Sequence, residues 1–180
     1  MSDHTRSKRL LLRRPNDGDL PAIYAIHADP ETNRYNPSGP DTEEGARRKL
    51  DKWREHWETH GFGYWAICLA EAPHEVIGFG GIMRSVVGAR HGLNLYFRFK
   101  PQAWGKGYAG EMAQAALHLA FDELGETEVL AKTRPTNLPS RKSLERLGLR
   151  EIDIAHDIPG ALPSLIYCLS APQYRHTATA

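Results

Sequence analysis

The sequence feature that most constrains the fold of this chain is the order of its predicted strands and helices. Three strand signals follow one another with no helix between them: Gly63 to Leu69, Val76 to Met83 and His91 to Lys100. The last of them alternates apolar with polar residues, as a half-buried strand does. Short turns, such as one over 72–74, join strands only as antiparallel neighbours, because parallel strands need a long crossover. The sequence therefore predicts an antiparallel meander and excludes the strict β-α alternation of a doubly wound fold.

Helix and strand signals on both sides of the meander complete the pattern. The predicted helices cover 17–28, 42–60, 107–124 and 137–147, and the other predicted strands cover 10–14, 127–133, 151–158 and 162–171. The sequence thus predicts an α+β fold in which about four helices flank a mixed, mostly antiparallel seven-stranded sheet. At 180 residues the chain has the length of one domain, 1–180, and we expect flexible tails over 1–8 and 173–180.

Composition excludes several classes of function. With 23 Lys and Arg against 22 Asp and Glu the chain lacks the strongly basic footprint of a nucleic-acid-binding domain. No apolar run reaches the roughly 18 residues of a membrane span, and the basic N-terminus is not followed by a signal-peptide core. We therefore expect a cytoplasmic protein with no membrane partner. No Cys and His cluster has zinc spacing, so no metal is expected, and Cys68 and Cys168 are predicted to be reduced thiols.

A glycine-rich segment, Gln102 to Glu111, follows a predicted strand and opens a predicted helix. The N-terminus of a helix offers unpaired N–H groups and partial positive charge, and glycines let a ligand approach the backbone closely. Such a turn can cradle a pyrophosphate. Alternatively, its glycines only relieve backbone strain between a strand and a helix.

The segment also satisfies the dinucleotide-binding pattern G-x-G-x-x-G over 105–110. Its context argues against that function. A dinucleotide-binding loop follows the first strand of a βαβ unit and needs an acidic residue at the tip of the next strand. Here about a hundred residues precede the loop, and the next strand ends in 132–134, Lys-Thr-Arg. A Walker A loop is excluded, because no G-x-x-x-x-G-K-[ST] occurs.

Two motifs together resemble the GNAT superfamily of N-acetyltransferases, and specifically its RimJ/RimL-like branch. Gln102-x-x-Gly105-x-Gly107 is similar to the family's Q/R-x-x-G-x-G/A acyl-CoA motif, and the run 101–111, PQAWGKGYAGE, is similar to the branch pattern P-x-x-W-G-x-G-Y-A-x-E. Downstream, Asn137-x-x-Ser140 followed by Arg146-Leu-Gly-Leu resembles the second signature of that branch. The resemblance implies the GNAT fold with splayed central strands, and acetyl-CoA as cosubstrate without a metal.

The resemblance also implies which residues bind the cosubstrate. The strand before the loop would pair its backbone with the pantetheine arm, the loop would bind the pyrophosphate, and the start of the helix at 137 would lie near the thioester. The implied contacts are Phe97, Arg98, Phe99, Gln102, Trp104, Gly105, Lys106, Gly107, Tyr108, Ala109, Asn137 and Ser140. Asn137 and Ser140 could also serve only as a helix cap and first-turn residue.

The resemblance also implies catalytic residues, but this sequence departs from many family members at two catalytic positions. The position where many relatives carry a tyrosine general acid is Leu144, and the hydroxyl best placed to replace that acid is Ser140. The position where relatives often carry a glutamate base is Asn94, which cannot accept a proton at neutral pH but could order a water. Tyr96 is a second candidate on the same strand face. Glu111, a histidine or bulk water are the remaining candidates for the base.

In this fold the first two helices and the loop between them cover the acceptor site. Tyr35 and Asn36 in that loop are the predicted acceptor contacts, and Arg34 could meet a carboxylate or have no role. Trp53 and Trp57 are expected in the core, since they share a helix face. The resemblance implies acetyl transfer to a primary amine, either a protein N-terminus or a small amine, by a monomer or homodimer. The alternative is a non-catalytic acyl-CoA-binding module that acts as a sensor or interaction partner.

Overall fold

Eight strands form one mixed sheet in the computed structural model, which describes residues 4–178. The strands are β1 (His4–Arg6), β2 (Leu10–Arg13), β3 (Tyr64–Leu69), β4 (Ala72–Val87), β5 (Arg90–Phe99), β6 (Glu128–Thr133), β7 (Arg150–Ala155) and β8 (Ser164–Ser170). Their order across the sheet is β1-β2-β3-β4-β5-β6-β8-β7. Every neighbouring pair is antiparallel except β5 and β6. The predicted α+β class and the meander, β3 to β5, are confirmed.

Five helices accompany the sheet within the described residues: α1 (Leu20–Ala28), α2 (Glu43–His60), α3 (Tyr108–His118), α4 (Leu138–Arg146) and α5 (Ala171–Ala178). Local signals set their ends. The Asn16 side chain accepts from the amide of Gly18 at the start of the turn leading into α1, and Thr42 caps α2. Gly61 ends α2 with φ of 74°, a conformation that favours glycine. None of the helices described over 4–178 is long and apolar enough to cross a bilayer.

The strand and helix counts exceed the predicted seven and four. The additional elements are β1 and α5, which lie in the segments expected to be tails; residues 1–3 and 179–180 of those segments lie outside the described residues. β1 is polar and fully exposed, so its sequence carries no alternating pattern. The turn predicted at 72–74 lies instead at 70–71, and β4 begins at Ala72. Pro73 is tolerated there because the β3–β4 pairing is irregular at that end.

The sheet is packed on both faces. On one face α3 and α4 cover an apolar cluster that includes Leu93, Leu95, Met112 and Leu144. On the other face α1 and α2 cover a smaller cluster, which includes Ile23, Leu50, Trp53, Tyr64 and Phe79. We call this second side the α1–α2 face.

The central strands splay apart, as expected. β5 and β6 pair only where Leu93, Asn94 and Leu95 meet Val129, Leu130 and Ala131. Beyond that point β5 continues to Phe99 and β6 to Thr133 without pairing with each other. The gap opens a notch in the middle of the sheet, and one backbone edge of β5 is left without a strand partner there.

Candidate active site

A cavity of about 440 Å³ occupies the notch between β5 and β6. It gathers residues that are distant in sequence, from the α1–α2 loop, β5 and α4. Leu144, the position of the missing tyrosine, lines it. Eight of the predicted site residues line it as well: Tyr35, Asn36, Asn94, Tyr96, Phe97, Arg98, Asn137 and Ser140. The residues predicted for catalysis and for the acceptor therefore share one cavity, and the glycine-rich loop lies outside its lining.

The backbone of β5 presents hydrogen-bonding groups to the notch. The amide of Lys100 donates to the carbonyl of Ile77 on β4 at 2.9 Å, so Lys100 faces β4. Since successive residues of a strand direct their backbone groups to opposite edges, Phe97 and Phe99 face the notch. The carbonyl of Phe99 already accepts from the Trp104 indole N–H at 2.9 Å. The amide of Phe97 is the donor directed into the open part of the notch.

The glycine-rich loop brings a bare helix N-terminus close to the end of β5. Gly107 precedes α3 with φ of 79°, and no side chain caps the helix. Gly105 also has positive φ, 73°, and a Cβ placed on Gly105 or on Gly110 would meet no protein atom within 4 Å. Space and unpaired N–H groups at a helix N-terminus are what a pyrophosphate requires. The loop therefore fits the phosphates of acetyl-CoA, with exposed Gln102 and Lys106 at its rim.

Glu111 fastens this loop to the N-terminal strands. Its carboxylate accepts from the Ser7 hydroxyl and the Arg9 amide, both at 2.6 Å, and from Nε of Arg9 at 2.7 Å. Arg9 also donates to the carbonyl of Lys106 and lies 4.7 Å from the Tyr108 ring centroid. Although partial burial raises it, the pKa of Glu111 is lowered overall by these donors. The geometry gives Glu111 a structural role.

Asn137 and Ser140 stand at the start of α4. The Asn137 side chain accepts from the amide of Ser140 at 3.2 Å, so the capping role considered for it is present. The amide nitrogen of Asn137 is a donor that the cap does not use. In the part of the chain that the structure describes, the Ser140 hydroxyl makes no hydrogen bond, and Ser140 lines the notch half-buried.

Two tyrosines, buried Tyr64 on β3 and half-buried Tyr96 on β5, make the polar contacts behind the notch. The amide nitrogen of Asn94 donates to the Tyr64 hydroxyl at 2.6 Å, and the Tyr96 hydroxyl lies 2.7 Å from Nε2 of His27. Burial raises the pKa of Tyr96, and it raises the pKa of Tyr64 well above the usual range of a phenol. Neither phenol is poised to lose its proton at neutral pH. Sequence reasoning missed His27, because its helical spacing with Ile23 indicated only a core position.

A charged cluster at the far wall of the notch was also not predicted. Asp157 accepts from Lys132 at 2.7 Å, from Arg134 at 3.0 Å and from the Ser164 hydroxyl at 3.0 Å. Partial burial raises the pKa of Asp157, but these partners outweigh that effect and lower it to about 2. The residues come from three separate segments, so no local motif marks them.

Other side chains near the notch pack in the core or lie at the surface. Trp53 and Trp57 are buried on α2, in agreement with the expected core role. Arg141 donates to the Tyr167 hydroxyl and the carbonyl of Pro135, while Lys142 is exposed. Among residues 4–178, no group of three or more His, Cys, Asp or Glu is arranged to hold a metal ion.

Comparison with known proteins identifies the class to which this fold and notch belong. The family model described as the acetyltransferase (GNAT) domain matches residues 9–150. "Uncharacterized N-acetyltransferase YnaD" of Bacillus subtilis is 30% identical over 148 residues, which is 82% of each chain. The chain therefore belongs to the GNAT acetyltransferase family and is an acyltransferase, of a family that uses acetyl-CoA.

Solved structures share the fold over almost the whole chain. An acetyltransferase from Agrobacterium tumefaciens superposes with a TM-score of 0.78 at 25% identity, over 94% of this chain and 95% of that one. RimJ of Mycobacterium smegmatis, solved in complex with CoA-disulfide, superposes with a TM-score of 0.70 at 20% identity, over 98% and 93% of the two chains.

Proposed function

We propose that this enzyme transfers the acetyl group of acetyl-CoA directly to a primary amine in the notch between β5 and β6. The observation that carries the proposal is the open edge of β5 beside the uncapped N-terminus of α3. The first offers main-chain pairing to an extended arm, and the second offers N–H groups and partial positive charge to phosphates. The two are joined by the short loop from Lys100 to Gly107.

Binding is assigned to the loop and the strand edge. The amides from Gly105 to Ala109 hold the pyrophosphate, and the backbone of Phe97 to Phe99 pairs with the pantetheine arm. Trp104 supports this arrangement, because its indole ties the loop to the end of β5. Acetyl-CoA supplies the acetyl thioester. The amide of Phe97 is the donor that stabilises negative charge on the thioester oxygen during attack.

Proton movement is assigned to Ser140 and to water. Ser140 lines the notch with a hydroxyl that has no other partner among the described residues, so it is available to protonate the leaving thiolate. Asn94 and Tyr96 cannot act as bases, because an amide does not accept a proton and the phenol is kept neutral by burial. Instead, they order a water that carries the proton of the amine to solvent. Acceptor binding is assigned to Tyr35 and Asn36, which contact the acceptor from the α1–α2 loop.

The two sequence motifs support assignment to the RimJ/RimL-like branch, whose members take N-terminal and small amines. The fold shared with RimJ of Mycobacterium smegmatis is compatible with this assignment.

The first experiment is a thermal-shift titration with acetyl-CoA, with NADPH as control, followed by CoA release with a panel of amines and N-terminal peptides. We expect acetyl-CoA alone to raise Tm by several degrees, since a ligand at 100 times its Kd stabilises by about 2.7 kcal/mol. We also expect the acceptor to gain the mass of one acetyl group. Binding of acetyl-CoA without turnover of any amine would contradict the catalytic proposal. A rise in Tm with NADPH alone would contradict the assignment of acetyl-CoA as the cosubstrate.

Ser140→Ala tests the proton donor. It should lower kcat by about 10²- to 10⁴-fold with little change in KM for acetyl-CoA. Ser143→Ala is the matched control, since Ser143 lies on the same helix and donates instead to the carbonyl of Pro139. Equal effects of the two changes would contradict a specific role of Ser140.

A further inference from the structure

One cation in the notch faces the α1–α2 side of the sheet. Arg98 lines the cavity half-buried. Its side chain shares a strand face with Asn94 and Tyr96, because alternate residues of a strand point the same way. Tyr96 packs against the α1–α2 cluster, whereas Phe97 packs against the cluster on the opposite face. The Arg98 guanidinium therefore lies on the side from which the acceptor enters.

A neutral amide holds this guanidinium. Nη1 of Arg98 donates to Oδ1 of Asn33 at 3.2 Å. Asn33 is itself buried and fixed, since its amide nitrogen donates to the carbonyls of His27 at 2.6 Å and Asp29 at 2.8 Å. Arg98 is thus oriented by a group without charge, and most of its five N–H donors remain for a ligand.

The carboxylates that could neutralise Arg98 are already paired. Asp157 binds Lys132 and Arg134, and Asp41 binds Lys49 at 2.6 Å. Within residues 4–178 Arg98 forms no ion pair with a carboxylate. A partly desolvated cation without a counter-ion is unfavourable, and a bound anion offsets that cost. The cavity lining carries three cations, Arg98, Lys132 and Arg134, against the single carboxylate of Asp157.

We propose that Arg98 binds a carboxylate of the acceptor, so that the substrates are amines carried a few atoms from a carboxylate, as in α-amino acids. The inference rests on the proposed function and adds the substrate class. A guanidinium and a carboxylate form two parallel hydrogen bonds, which fix the orientation of the acceptor as well as holding it. A polyamine has no group for Arg98 and is repelled by the surplus of cations.

The reaction balances as a simple group transfer. A bond forms between the amine nitrogen and the acetyl carbon while the thioester C–S bond breaks. The nitrogen loses one proton and the thiolate gains one. The carboxylate takes no part in bonding changes, so Arg98 is a specificity-determining residue that acts through position.

Pairs of substrates that differ only in the carboxylate measure what that group contributes to recognition. CoA release is measured with amino acids, with the carboxamides of the same amino acids and with spermidine, for the wild type, Arg98→Gln, Arg98→Lys and Arg34→Gln. Arg34→Gln is the matched control, because Arg34 is in the adjacent loop, is exposed and is already paired with Glu31 at 2.5 Å.

We expect the wild type to favour the acid over the carboxamide by about 10- to 100-fold in kcat/KM, mainly through KM. Arg98→Gln should abolish that preference while leaving the acetyl-CoA thermal shift in place, and Arg98→Lys should restore part of it. Arg34→Gln should behave as the wild type. The proposal would be overturned if the wild type used acid and carboxamide equally, or if it preferred spermidine or peptides without a carboxylate near the amine. Equal losses for acid and carboxamide in Arg98→Gln would also overturn it.

A binding measurement separates this inference from the proposed catalysis. The wild type and Arg98→Gln, each saturated with CoA, are titrated with the acid and the carboxamide while Tm is followed. A shift with the acid alone that disappears in Arg98→Gln supports the carboxylate site even if no amine is turned over. The absence of that shift in the wild type overturns it even if some other amine is acetylated.

Discussion

The Tyr96 hydroxyl and Nε2 of His27 lie 2.7 Å apart and join the notch to the buried side of α1. Nδ1 of His27 lies 2.8 Å from the carbonyl of Ile23, so it carries the proton and Nε2 accepts from Tyr96. Burial, together with the smaller effect of the charge of Arg98, lowers the pKa of His27 to about 4. The imidazole is neutral at physiological pH, and the Tyr96 oxygen presents lone pairs to the notch.

This contact predicts an acid-sensitive step in stability. In the unfolded chain His27 binds a proton below about pH 6.5, whereas in the folded chain it does so only near pH 4. The unfolded state therefore binds more protons in this interval, and the free energy of unfolding should fall by about 3 kcal/mol between pH 6.5 and 4. Urea unfolding across this range measures it. His27→Gln should show a smaller fall; His56, whose pKa burial also lowers, contributes to both proteins. Parallel curves for the two proteins would show that His27 is not the group responsible.

The loop before α3 predicts opposite effects for one substitution at two glycines. Gly107→Ala places a Cβ at φ of 79° and should cost about 1–2 kcal/mol, with a reduced acetyl-CoA thermal shift. Gly110→Ala meets no protein atom and lies inside the first turn of α3, so it should stabilise the free protein by about 1 kcal/mol. Thermal melts with and without acetyl-CoA measure both. If both substitutions destabilise the free protein alike, the role assigned to the backbone at Gly107 is wrong.

Glu111 is predicted to be structural rather than the general base. Glu111→Gln replaces a carboxylate that accepts from Ser7 and Arg9, and should lower the free energy of unfolding by about 1–2 kcal/mol. The pH profile of kcat/KM should keep its shape. Loss of the basic limb of activity together with unchanged stability would instead assign Glu111 to proton transfer.

The position of β5 depends on a glycine in the neighbouring strand. A Cβ on Gly80 would lie 2.6 Å from the carbonyl oxygen of Tyr96 and 2.9 Å from the Met112 side chain. Because the first of these contacts is backbone, Gly80→Ala should destabilise by about 1–3 kcal/mol. Gly92→Ala is the control: its Cβ would lie 3.1 Å from the end of a flexible Leu130 side chain, so its cost should be smaller. Chemical denaturation of both variants gives the comparison, and a larger loss for Gly92→Ala would contradict this account.

Much of the fold follows from short-range signals. The Asn137 cap, the Gly61 end of α2 and the positive φ of Gly107 depend on a few consecutive residues, so they could be predicted from the sequence. The alternating strand of the meander carries its own pattern as well. β1 could not be predicted, because three exposed polar residues gain their strand conformation from pairing with β2.

The class of the protein could be predicted from the sequence, since the motifs over 101–111 and at Asn137 and Ser140 resemble those of the GNAT superfamily. Which side chains meet in the notch depends on the tertiary structure instead. His27 and Tyr96 are 69 residues apart, and Arg98 and Asn33 are 65 apart. Their contacts depend on how α1 packs on the sheet and on where β5 leaves β6. Strand register and helix packing are set by the whole core, and no spacing within one segment encodes them.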